Sequence, residues 1–185
     1  MQLSFGQVEQ LLRHLHGVTE RRRTMLRSRL QHLQKEDLPP GVAIGRGTRF
    51  AYGVDETFMI VVALELARTR MPAGHAARVV KENWPALRCL VDEGIAAAAT
   101  PKDERGRLPT RWAVVSADGL SLLRREEPGE DAAVEVVGDT PGIAIASWAQ
   151  RLTSAPATTI VVIDVVGRVA QATDFIRDGL GIDPS

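Results

Sequence analysis

Apolar residues recur at helical spacing through most of the first hundred positions. Phe5, Val8, Leu11, Leu12 and Leu15 share one face of a helix that starts at Ser4, whose hydroxyl can cap free amides, and stops near His16 before Gly17. Thr19 is a second candidate cap. After it Met25, Leu26, Leu30 and Leu33 mark a buried stripe, and Arg21, Arg22, Arg23, Arg27 and Arg29 crowd the remaining surface until Pro39 and Pro40 end the helix. A third helix is predicted to begin with Asp55 as cap and Glu56 in the first turn, where a carboxylate suits the helix dipole. Phe58, Met59, Val61, Val62, Leu64 and Leu66 give it the apolar surface of a central core helix. Met71, Pro72 and Gly74 then break the chain before a fourth helix, HAARVVKENW, in which Ala76, Val79, Val80 and Trp84 can pack back. PALRCLVDEGIAAAA reads as one more helix.

The pattern changes after residue 98. TPKDERGRLPT is a charged linker containing Pro and Gly, which predicts a first domain over 1–98, a linker over 99–110 and a second domain over 111–185. Beyond it WAVVSA and LSLLR flank Asp118-Gly119, a short-hairpin signal, and AAVEVV supplies a third strand. Ile143 to Leu152 and Val166 to Leu180 have helical patterns, with TTIVVID between them as a buried strand. The back half is expected to be a small α+β module, a sheet covered on one face by helices.

Between the second and third helices lies GVAIGRGTRFAYG. Gly45 and Gly47 bracket Arg46 where Val42 to Ile44 and Phe50 to Tyr52 could pair as antiparallel strands. The expected hairpin would place Arg46 and Arg49 near its tip, where the guanidinium fork suits phosphates; an ordinary solvated loop is the alternative. A short helix, a turn and a second helix with an arginine-rich face form a helix-turn-helix layout. The same residues also suit a plain hairpin of helices with a solvated basic face.

Charge supports the first of these readings. The 185 residues are formally neutral, yet residues 1–50 hold nine Lys/Arg against four Asp/Glu, whereas residues 101–185 hold nine against thirteen. The lone Cys89 excludes an internal disulfide and a thiolate metal cluster. The amino-terminal stretch carries a glutamate where a secretory signal would have an apolar core, and no run approaches membrane-spanning length, so a soluble cytoplasmic protein is expected.

Residues 5–84 resemble the amino-terminal winged helix-turn-helix domain of the MerR-type transcription regulators. The resemblance rests on LRSRL in the second helix, the LPPG exit, the GRGTRFAYGVDE junction and ALELARTRMPAGHAARVV. It implies an α+β protein with a MerR-like DNA-binding domain, Arg27 and Arg29 on the recognition helix, Arg46 and Arg49 on the wing, and Tyr52 at the phosphate-facing junction after it. Arg21, Arg22 and Arg23 join them as candidate DNA contacts. The sequence departs from the family at Ser28 and Arg29, where an aromatic pair is usual, and lacks a long heptad helix after Trp84. Neither the family's coiled-coil dimer and promoter untwisting nor its cysteine-based metal sensing is therefore implied.

No HExxH, GxSxG, Walker loop or dinucleotide fingerprint occurs, so no enzyme, cofactor or metal is expected. Asp164, alone at a strand end, reads as a helix cap, and His75 as a surface or packing residue. Trp112 and Trp148 could line a pocket or interface or lie in the core; His14, His16 and His32 fall on the basic helices, where solvent or phosphate contact is expected. The expected function is that of a transcriptional regulator, a homodimer whose front half grips double-stranded DNA and whose back half, residues 111–185, dimerises or senses. Its rivals are an adaptor that touches RNA polymerase or a phage-type assembly, and a small-molecule receptor acting through the C-terminal module.

Overall fold

The computed structural model describes residues 1–41, 50–105, 111–117, 134–138 and 159–184. Five helices occupy the front: α1 (Phe5–His16), α2 (Arg23–Lys35), α3 (Val54–Arg68), α4 (Ala73–Glu82) and α5 (Trp84–Ala99). Strands β1 (Arg111–Ala117), β2 (Val134–Gly138) and β3 (Thr159–Ile163) follow, then α6 (Val165–Asp174), extended by a π turn over Phe175–Gly179. The described protein is thus mostly helical with a small antiparallel sheet. No described helix is long and apolar enough to cross a membrane.

Local chemistry sets the ends of α1. Ser4 Oγ accepts from the Gln7 amide at 3.4 Å and Gln7 Oε1 accepts from the Ser4 amide at 2.8 Å, a reciprocal capping box. Gly17 closes the helix at φ 58°, a left-handed conformation that glycine adopts without a Cβ penalty. Other ends depart from the sequence expectation. Thr19 makes no side-chain cap; Glu20–Arg22 wind as a 3₁₀ turn before α2 begins at Arg23. Gly53, not Asp55, precedes α3, and the Asp55 carboxylate instead accepts from Arg88 Nε at 2.7 Å and Trp84 Nε1 at 3.4 Å. The fourth helix starts two residues before His75, which is buried.

Burial follows the helical stripes, with Phe5 and Trp84 partly buried and Met25 outside. Val8, Leu11 and Leu12 of α1 and Leu26, Leu30 and Leu33 of α2 are buried, but Met25 is 60% exposed. Successive helical residues point about 100° apart, so with Leu26, Leu30 and Leu33 facing inward Met25 is carried off the buried stripe. α3 is buried almost all round, from Phe58 through Leu64 to Leu66, as its uniformly apolar sequence requires.

In the sheet β1 is central, antiparallel to β2 on one side and β3 on the other. Register pairs Ala113 with Ile163 and Val115 with Val161. Ala113, Val161 and Ile163 are buried, so the alternation along β3 turns one face inward. The second arm of the expected hairpin, LSLLR, and the expected helix over 143–152 with Trp148 fall outside the described residues. Asp164 caps α6 by accepting from the Gly167 amide at 2.7 Å.

The two halves share one core. A single cluster of buried side chains runs from Leu3 and Leu11 through Phe58, Leu87 and Val91 to Val169, Ala172 and Ile176. α6 packs closely on α5 at Gly94, where a Cβ would lie 2.5 Å from Val169 Cβ. Arg105, within the stretch expected to be a linker, donates to the Ala98 and Thr100 carbonyls at 2.7 and 2.8 Å and pairs with Asp174 at 2.6 and 3.0 Å. It thereby satisfies free carbonyls at the end of α5 and ties them to α6. Arg168 of α6 reaches the Leu15 carbonyl of α1 at 3.3 Å and Glu65 of α3 at 3.1 Å.

Candidate nucleic-acid interface

The basic surface is built by the way α2 lies on α1. Leu26, Leu30 and Leu33 fix the inner face of α2, and a buried carboxylate fixes its rotation. Glu9 of α1 is 1% exposed; Arg27 Nε donates to its Oε2 at 2.8 Å, and Arg23 Nε donates to its Oε1. Burial alone would push the Glu9 pKa up, but hydrogen bonds and positive charge from Arg23 and Arg27 outweigh it and hold the pKa below the ordinary value. Glu20 adds an outer link, accepting from Arg23 at 3.2 Å and pairing with Arg13 at 2.6 Å.

Two of the candidate arginines are therefore occupied within the protein. Three are not: among the described residues Arg21, Arg22 and Arg29 make no ion pair, and all three are exposed. Arg22, Met25 and Arg29 stand three and four residues apart on one side of the winding, joined by Ser28 and the exposed His32. Met25 is the single large hydrophobic side chain that is exposed among the described residues.

Tyr52 is placed elsewhere. Only 1% exposed, it lies in the core, and its hydroxyl accepts from Gln34 Nε2 of α2 at 2.7 Å. Burial raises its pKa, with the Gln34 hydrogen bond acting in the opposite direction. Its backbone pairs with Leu3 through two 2.8 Å hydrogen bonds, which joins the end of the Gly-rich segment to the start of the chain. A phosphate cannot reach that hydroxyl without opening the core. Arg46, Arg49 and the rest of the expected wing, residues 42–49, lie outside the described residues.

The histidines separate as well. His14 is exposed and stacks on Phe175 with ring centroids 4.3 Å apart. His16 is half-buried beside Glu65, Nδ1 to Oε1 3.6 Å. Burial lowers its pKa, Glu65 opposes that shift, and the charges of Arg68, Arg168 and Arg29 reinforce it. No group of three or more metal-binding side chains converges among the described residues.

The residue that sequence reasoning passed over is Glu9. Its signal was available: a carboxylate between Val8 and Leu12 on an apolar face, opposite a helix rich in arginine, has to be paired once buried.

Compared with known proteins, the chain matches no family model, no curated protein and no solved structure.

Proposed function

We propose that the protein binds double-stranded DNA through the outer face of α2, as the recognition element of a winged helix-turn-helix, and acts as a transcriptional regulator. The observation that carries this reading is the division of labour among the arginines. Arg23 and Arg27 neutralise Glu9, while Arg29 projects from a helix whose opposite face is locked into the core and Arg21 and Arg22 from the 3₁₀ turn that leads into it. Arg21 and Arg22 stand at the amino-terminal end of α2, where the helix dipole is already positive. Cations there raise the local potential, and a phosphate backbone relieves the repulsion. Leu3–Tyr52 pairing also suits a wing, because it anchors the backbone three residues after Arg49.

The test is fluorescence anisotropy of the full chain with labelled duplex between 50 and 200 mM salt. Three phosphate contacts predict a slope of log K against log salt of roughly −2.7 from α2 alone. No binding at the lowest salt would reject the reading and favour an adaptor that contacts RNA polymerase or another protein. The homodimer expected of such regulators is part of the same proposal and is read from sedimentation with and without duplex.

A receptor role finds support in a separate feature. A cleft of about 730 Å³ lies beside α5 and α6, lined among others by His14, Lys102, Arg105, Gln171 and Phe175. A rise in melting temperature across a metabolite panel would support ligand binding there.

A further inference from the structure

We infer that Met25 reads the methyl group of a thymine from the major groove and is a specificity-determining residue of α2. This rests on the proposed DNA-binding role of that helix.

A methionine that is 60% exposed leaves its thioether chain in water. Its surroundings restrict what can cover it. Arg22 precedes it by three residues and Arg29 follows by four, both exposed and, among the described residues, without an ion pair; Ser28 completes that side of the helix. A partner must therefore offer an apolar contact at the centre and negative charge at the edges. Duplex DNA has this arrangement: phosphates line the rims of the major groove, and the thymine C5 methyl is the apolar group on its floor. An acidic protein surface could meet the arginines, but it has no built-in apolar group at the centre of a groove fitted to a single helix. A membrane surface suits the helix poorly, because its leucine stripe is committed to the core and leaves one apolar residue outside.

Methionine is long, unbranched and polarizable, so it can follow the methyl without a fixed hydrogen-bond geometry. The arginines would supply most of the affinity and Met25 the discrimination of thymine from other bases at one position.

The experiment begins with selection of preferred duplexes from a random pool by the full chain, followed by replacement of each thymine in turn with deoxyuridine, which removes only the methyl group. The wild-type protein is expected to lose about fourfold in affinity at one position, the scale for one buried methyl group. Met25→Ala and Met25→Gln should show no such loss at that position, and circular dichroism should confirm that both are folded. An unchanged fourfold loss in both variants would overturn the assignment, as would a wild-type protein indifferent to every thymine-to-uracil change. Binding with no selected sequence would also overturn it while leaving DNA binding in place, whereas absence of any duplex binding at low salt would remove the DNA-binding reading itself.

Discussion

Arg27 Nε reaches Glu9 Oε2 at 2.8 Å across eighteen residues of sequence, so the helix expected to meet DNA is oriented by a carboxylate buried in the preceding helix. This relationship changes what an arginine scan should report. Arg29→Ala should weaken duplex binding and make its salt dependence shallower by about 0.9, with melting temperature nearly unchanged. Arg27→Ala should lower melting temperature as well, because it strips one partner from a buried charge. Parallel thermal melts and anisotropy titrations check the distinction; equal thermal stability in the two variants would contradict it.

The same carboxylate predicts acid sensitivity. A Glu9 pKa held below its ordinary 4.5 contributes stability that is present above that value and is lost as pH falls through the folded-state pKa. Asp174, whose pKa is lowered chiefly by the Arg105 hydrogen bond against the effect of burial, adds to the same window. Glu9→Gln should be less stable than the wild type by about 1–3 kcal/mol at neutral pH. The difference between the two proteins should shrink as pH falls below about 4.5 in urea unfolding.

His16 acts in a higher window with the same sign. A base whose folded pKa is lowered is protonated more readily in the unfolded chain, so its stabilising contribution is full above its ordinary 6.5 and declines as pH falls toward the folded value. His16→Gln should flatten the stability profile below pH 6.5 while leaving the acid-limb loss at Glu9 in place. Urea midpoints measured between pH 5 and 8 would show it.

Tyr52→Phe separates packing from DNA contact. The ring stays in the core while the 2.7 Å bond from Gln34 is lost, at a cost of about 1 kcal/mol. Affinity for duplex measured well below the melting temperature should not change. A selective loss of affinity would return the hydroxyl to the interface.

Gly94→Ala probes the contact between α5 and α6. Alanine favours a helix by up to about 1 kcal/mol over glycine, but its Cβ would meet Val169 Cβ at 2.5 Å and the Val166 carbonyl at 2.9 Å. Neither is the far end of a flexible side chain, so overpacking should win and destabilise the protein by about 1–3 kcal/mol. Chemical denaturation measures the sign directly.

Periodicity made the helices legible because burial on one side leaves a 3.6-residue signature, and α1 with its Ser4 cap and Gly17 stop carried every local signal needed. Met25 was misplaced because it adjoins Leu26, and periodicity alone does not say where a stripe ends. Asp55 looked like a cap because carboxylates favour helix starts; its partners Arg88 and Trp84 lie 33 and 29 residues away, which no local pattern reveals. The arginine-rich face was visible as composition. Which arginines remain available was not, since that depends on Glu9 being folded beneath two of them.

Arg168 donates to the Leu15 carbonyl across 153 residues, and this has a consequence for the making of the protein. A ribosome adds about 5–20 residues per second. The first two helices are therefore complete many seconds before α6, which closes the end of α1, emerges from synthesis. During that interval the leucines and valines that later meet α6 have no native cover, and the young chain depends on local helix pairing or chaperones to keep them from other nascent chains. Slowing translation near codon 100 should then lower soluble yield, whereas faster delivery of the last eighty-five residues should raise it.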